Sequence, residues 1–174
     1  MLFRSLSIAN GYDDNYHLTP ERLLRNILQL GWRGPILHYV GMSHYFRLEA
    51  RPGGHYVSLG ATALNLPCRA WHADFAARAR ALGYDLILSL SYELLDQHCW
   101  ADWKQRALGG SPALTGWEPP STLLSPAHAG AMHYLRSVAA EFAQIAKDAG
   151  QQLRFQIGEP WWWTLPDGSL CIHR

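Results

Sequence analysis

Tyr84-Asp85-Leu86-Ile87-Leu88-Ser89-Leu90-Ser91-Tyr92-Glu93 is the stretch that decides the fold. Leu86, Ile87, Leu88 and Leu90 make a nearly unbroken apolar run of strand length. A strand with one wet face alternates apolar and polar residues. A run without alternation fits a strand covered on both faces, as in parallel sheets packed between helices or closed into barrels. Gly83, a helix-stopping glycine, stands before the run, and polar Ser91, Tyr92 and Glu93 follow it.

The same order of signals recurs along the chain, without a detectable sequence repeat. Residues 3–9 read as a first strand, and residues 10–17 as a polar loop. Thr19-Pro20-Glu21 then opens a helix: Thr suits the N-cap, Pro the first helical position, and Glu the positive end of the helix dipole. Leu23, Leu24, Ile27 and Leu28 make its apolar stripe, and Gly31 ends it. Residues 35–40 form a second strand that runs into Gly41-Met42-Ser43-His44. Arg51-Pro52-Gly53-Gly54 marks a small hairpin, and the spacing predicts a helix over 71–82. After the third strand comes a long loop holding Trp100, Trp103, Trp117 and Pro119-Pro120. Ser125-Pro126 reads as a cap and an N1 proline. Ala127, Ala131, Leu135, Val138, Ala139, Phe142, Ile145 and Ala146 follow at helical spacing. Gly150 closes that helix, and residues 153–158 form a fourth strand.

Strands alternating with helices imply parallel βαβ units and an α/β fold. No G-x-G-x-x-G or G-x-x-x-x-G-K-[ST] follows a strand, which disfavours a nucleotide-binding doubly wound sheet. Loops after strands are long and the returns are short, an asymmetry that suits a barrel. Four units make half of a (β/α)8 barrel, which typically needs about 250 residues. The expectation is a single domain over 1–174, the N-terminal half of a TIM barrel, cut from a longer chain.

Hydrophobic residues at 48% and charged residues at 17% describe a globular chain. The net charge of +1, without a basic run, argues against nucleic acid as a partner. No apolar run reaches the roughly 18 residues of a membrane span, so no membrane role is expected. The first residues lack the pattern of a signal peptide. Cys68, Cys99 and Cys171 are odd in number and widely spaced, so they read as unreactive buried thiols rather than a disulfide framework or a zinc site. No cofactor is expected.

Candidate chemistry gathers where strands end. Phe155-Gln156-Ile157-Gly158-Glu159-Pro160-Trp161-Trp162-Trp163 delivers a carboxylate and then three tryptophans. At the end of a barrel strand Glu159 is placed to be a general acid, its pKa raised by the neighbouring indoles. Glu93 is the second candidate carboxylate, more readily a hydrogen-bonding support. Tyr92 and His44 are candidate sugar contacts. Trp161, Trp162 and Trp163 cannot all face one core, because successive strand residues point to opposite sides. They suit a stacking platform for carbohydrate, or an interface to the missing half-barrel. His38 lies within its strand and reads as core or lumen. Asp13 and Asp14 read as loop caps rather than cleft acceptors. Asp96 and His98 resemble a metal-ligand spacing only weakly, and no metal is expected.

Gln156-Ile157-Gly158-Glu159-Pro160 resembles the fourth-strand Asn-Glu-Pro segment of the (β/α)8 glycoside hydrolase superfamily. That resemblance implies an acid/base role for Glu159 in a retaining glycosidase, with the nucleophile after a seventh strand beyond this chain. Gly158 departs from the pattern, since it stands where the family's Asn binds a sugar 2-hydroxyl. A second resemblance covers more of the chain. Residues 34–44, residues 119–126 and Gln156 to Trp163 are similar to the barrel domain of large phage tail proteins, the non-contractile tail sheath and related gene-transfer-agent barrels. It implies a glycosidase-like, carbohydrate-binding barrel built into a virion tail among other tail subunits, in which catalysis is either kept or lost. An isolated half-barrel that dimerises to cover its edges is a further reading.

Overall fold

A computed structural model describes residues 6–40, 46–60, 62–115, 118–158 and 165. Its centre is a four-stranded parallel sheet of β1 (Ile8–Gly11), β2 (Ile36–Val40), β5 (Leu86–Leu90) and β8 (Phe155–Ile157), in that spatial order. Strand order follows chain order, as in a barrel wall laid down unit by unit. Across the wall Ile8 lies beside Ile36 and Leu86, while Asn10 lies beside His38, Leu88 and Phe155.

Three helices cover one face: α2 (Pro20–Gln29), α3 (Leu66–Ala81) and α4 (Ala129–Asp148). Ile36, His38, Val40, Leu86 and Leu88 turn towards them and are buried. The alternate residues Leu37, Tyr39, Ile87, Ser89 and Gln156 point to the other face, the one that lines the inside of a barrel. Leu37, Tyr39, Ile87 and Gln156 are only half-buried there. The described residues do not close a barrel.

The local signals have visible causes. Thr19 caps α2, its hydroxyl accepting from the Arg22 N–H at 3.2 Å, with Pro20 in the first turn. Leu23, Leu24 and Ile27 bury the predicted stripe. Gly31 and Gly83 end α2 and α3 at φ +78° each, a backbone region that favours glycine. The expected hairpin is present as β3 (Leu48–Arg51) and β4 (Gly54–Val57).

Four boundaries differ from expectation. The first strand runs to Gly11, and the predicted polar loop begins instead with one helical turn, α1 (Tyr12–Asn15). Asn15 Nδ2 donates to the Gly11 carbonyl at 2.8 Å, and Tyr12 is buried against Trp71 and His72. Helix α3 starts at Leu66 rather than 71, because the Asn65 side chain accepts from the Cys68 N–H at 2.8 Å and caps it there. Helix α4 starts at Ala129, not after Ser125-Pro126. Ser125 belongs to a preceding turn that accepts from the His128 N–H, and His128 Nδ1 caps the helix by accepting from Ala131 N–H at 3.2 Å. The loop after β5 contains β6 (Glu93–Leu95) and β7 (Ser121–Leu123), paired antiparallel.

Four tryptophans are structural. Trp32, Trp71 and Trp100 donate their indole N–H to the carbonyls of Pro35, Leu18 and Val57. Trp103 is buried beside Tyr134. Cys68 and Cys99 are free and buried, and burial pushes each thiol up to about 12. No helix among the described residues is long and apolar enough to cross a membrane.

Candidate functional site

The C-terminal ends of the parallel strands are the face where barrels carry chemistry. Two of the candidate residues follow the end of β5 within the described structure, Tyr92 and Glu93. Glu159, His44, Trp161, Trp162 and Trp163 lie outside the described residues.

Strand β5 ends at Leu90, where the Ser91 N–H donates to the Val40 carbonyl at 3.1 Å and keeps the chain against β2. Strand β8 ends beside it, with the Gly158 N–H donating to the Leu90 carbonyl at 2.9 Å. This bond brings Tyr92 and Gly158 together. Gly158 has φ +49°, and a Cβ added to it would stand 2.4 Å from Tyr92 Cδ1. The ring of Tyr92 therefore occupies the space of a side chain at position 158. The residue immediately before Glu159 is the floor under an aromatic ring, not a ligand. Only glycine meets both demands, the positive φ and the contact.

Glu93 is not at the end of a parallel strand, where the sequence places it. It opens β6, opposite Leu123, and is 8% exposed. Its N–H donates to the Ser91 hydroxyl at 3.2 Å. The antiparallel β6–β7 pair is continued by bridges from Lys104 to Leu124 and from Leu114 to Thr122. This folded insertion sits on the strand ends and brings Glu93 inside.

Asp96 and His98 share a short 3-10 turn but serve different partners. Asp96 accepts from Lys104 Nζ at 2.6 Å, and His98 Nδ1 donates to the His55 carbonyl at 2.7 Å. The turn joins the insertion to the β3–β4 hairpin, and Trp100 stacks on Tyr56 with ring centres 4.9 Å apart. Asp13 and Asp14 sit in the first turn of α1, at the helix end that favours acids.

His38 is core, as one of the two readings had it, and its surroundings were not foreseen. It is fully buried beneath β2, with Nδ1 2.7 Å from Asn10 Oδ1 and Nε2 3.1 Å from His72 Nε2. His72 Nδ1 lies 2.7 Å from the Cys68 carbonyl. Burial holds His38 well below the usual imidazole range, and holds His72 down to about 4. In the sequence the only trace of this chain is a pair of histidines at apolar positions, one on a strand and one on a helix.

Four parallel strands in chain order, helices on one face and long elaborated loops at the carboxyl ends define a partial α/β barrel of the TIM type. A family model described as the non-contractile tail sheath protein TIM barrel matches residues 3–174, and the chain belongs to that family.

Proposed function

We propose that this domain is a structural module of a virion tail, assembling with other tail subunits, and that the mouth at its strand ends binds carbohydrate without cleaving it. Membership of the non-contractile tail sheath family is the observation that carries the first part. The seat of Tyr92 on Gly158 supports the second. In the glycosidase pattern the residue before the acid/base reaches the sugar 2-hydroxyl through its side chain. Here that space is filled by Tyr92, whose ring offers a stacking face instead. Trp161, Trp162 and Trp163 add further stacking faces in this reading, His44 a hydrogen bond to a hydroxyl, and Glu159 an acceptor. Hydrolysis with retention needs two carboxyl groups about 5–5.5 Å apart in an accessible cleft. The burial of Glu93 inside the insertion argues that it supports the loop rather than serving as that partner.

The contrasting reading is a retaining glycoside hydrolase with Glu159 as acid/base and Glu93 in the cleft. Glycan-array binding, paired with a reducing-end release assay, separates the two for the wild type and Glu159→Gln. Saturable binding without release in either protein is the expected result. Release that Glu159→Gln lowers by about 10²-fold or more would establish the hydrolase. Absence of any glycan binding would remove the carbohydrate part and leave the tail module.

A further inference from the structure

The buried contacts from Asn10 to Cys68 fix where protons can sit. The Cys68 carbonyl only accepts, so His72 Nδ1 carries a hydrogen towards it across 2.7 Å. The two Nε2 atoms face each other at 3.1 Å and have room for one hydrogen between them. If His72 held that hydrogen it would be an imidazolium, so in the neutral pair it belongs to His38 Nε2. His38 Nδ1 is then bare, an acceptor. The carboxamide oxygen of Asn10, also an acceptor, lies 2.7 Å from it, while Asn10 Nδ2 is buried without a partner. A half-turn of the amide exchanges the two atoms. In the neutral state the hydrogen bonds run one way, from Asn10 Nδ2 to His38, from His38 to His72, and from His72 to the Cys68 carbonyl. One added proton has one place to go, His38 Nδ1, and Asn10 then presents its oxygen.

We infer that Asn10, His38, His72 and the Cys68 carbonyl form a one-proton latch that fastens strand β1 and helix α1 to helix α3 and loosens when it takes up that proton. The latch joins β1, β2 and α3 directly, and α1 through a ring contact. Asn10 is on β1, His38 on β2, and Cys68 and His72 on α3, with the Tyr12 ring of α1 packed 4.5 Å from His72. A cation there is fully buried beneath Trp71 and Phe75, without a carboxylate among its hydrogen-bond partners. Such a charge is relieved by moving strand β1 away from α3 and admitting water. Among the described residues the other titratable groups facing the pair are Tyr12 and Cys68, both held protonated by burial. Asp13 on α1 and Glu141 on α4 are the acids whose fields reach Cys68. Phe142 of α4 closes the far side of the His72 ring. The carboxamide at position 10 makes the latch switchable, because a half-turn serves either state. A carboxylate there would hold the proton permanently.

Long-range 1H–15N NMR of the full chain, labelled at histidine, tests this. At pH 7.5 His72 is expected as the Nδ1–H tautomer and His38 as the Nε2–H tautomer. In Asn10→Asp, His38 is expected to be protonated on both nitrogens at the same pH. The protection of the amides of residues 8–11 relative to those of residues 86–90 is expected to fall about tenfold between pH 7 and pH 5 in the wild type. It should change little in Asn10→Asp. A neutral His38 carrying its hydrogen on Nδ1 would overturn the latch, as would a neutral His38 in Asn10→Asp. Equal pH response of exchange in the two proteins would also overturn it. Should Asn10→Asp fail to fold, the wild-type tautomers decide alone.

Discussion

Tyr92 and Gly158 meet where the end of β5 lies beside the end of β8, and their contact admits a single residue type at 158. An added Cβ meets the ring at 2.4 Å, and the backbone sits at φ +49°. Gly158→Ala is expected to lose about 2–3 kcal/mol of stability, from strain and a displaced ring. In a Tyr92→Ala background the same change should cost roughly 1 kcal/mol, because only the backbone term remains. Chemical denaturation of the four proteins measures that coupling, and additive costs would show that the ring yields freely. The departure at 158 is legible in the sequence as a glycine where a glycosidase carries Asn. Its reason is not, because the sequence does not say that the residue two places after β5 folds back over β8.

At the scale of elements, the apolar periods and glycine stops were readable, and the ends set by side-chain caps were less so. The first turn of α3, five residues before the predicted 71, was not legible because Leu66 is 81% exposed and contributes nothing to an apolar stripe. The available signal was Asn65 followed by Pro67. Asn65→Ala is expected to cost about 1 kcal/mol in thermal or chemical unfolding. Ser125-Pro126 misled because it is a good cap pattern engaged in a turn, one turn before His128 takes the role. The β6–β7 pair escaped because Glu93, Leu94 and Leu95 lie too close behind β5 to read as a separate strand. The insertion and the β3–β4 hairpin are pinned together by Trp100. Trp100→Ala should therefore speed amide exchange over residues 54–57 by about tenfold or more, and leave residues 86–90 unchanged.

The buried histidines also set a pH dependence. Their folded pKa values lie below the unfolded value of about 6.5, with His72 at about 4. Between these limits the unfolded chain binds more protons than the folded one. Their contribution is fully present above about pH 6.5 and is lost as pH falls, on the order of 3 kcal/mol for His72 alone by pH 4, with His38 acting in the same direction. His72→Phe should be less stable at pH 7.5 by roughly 1–3 kcal/mol, since His38 Nε2–H loses its acceptor. Its unfolding free energy should fall less than that of the wild type between pH 6.5 and pH 4.5. Parallel pH curves would show that the pair does not titrate in that window.

For the molecule as a whole, the strand order, the parallel register and the helix-covered face follow from four apolar strand runs with three helices between them. The half-barrel was legible because each of the four strands has its own apolar run and each of the three helices ends on a glycine. What happens at the strand ends was only partly legible, since a folded insertion decides which side chains reach the mouth, and it moves Glu93 inward. The family match joins this barrel wall to the non-contractile tail sheath, and the account rests most on that placement. The most direct test is gold labelling of purified virions with antibody against this chain, viewed by electron cryotomography. The account predicts label in regular, repeated copies along the tail. Particles without label, with the protein recovered free and releasing sugars from glycan, would contradict it.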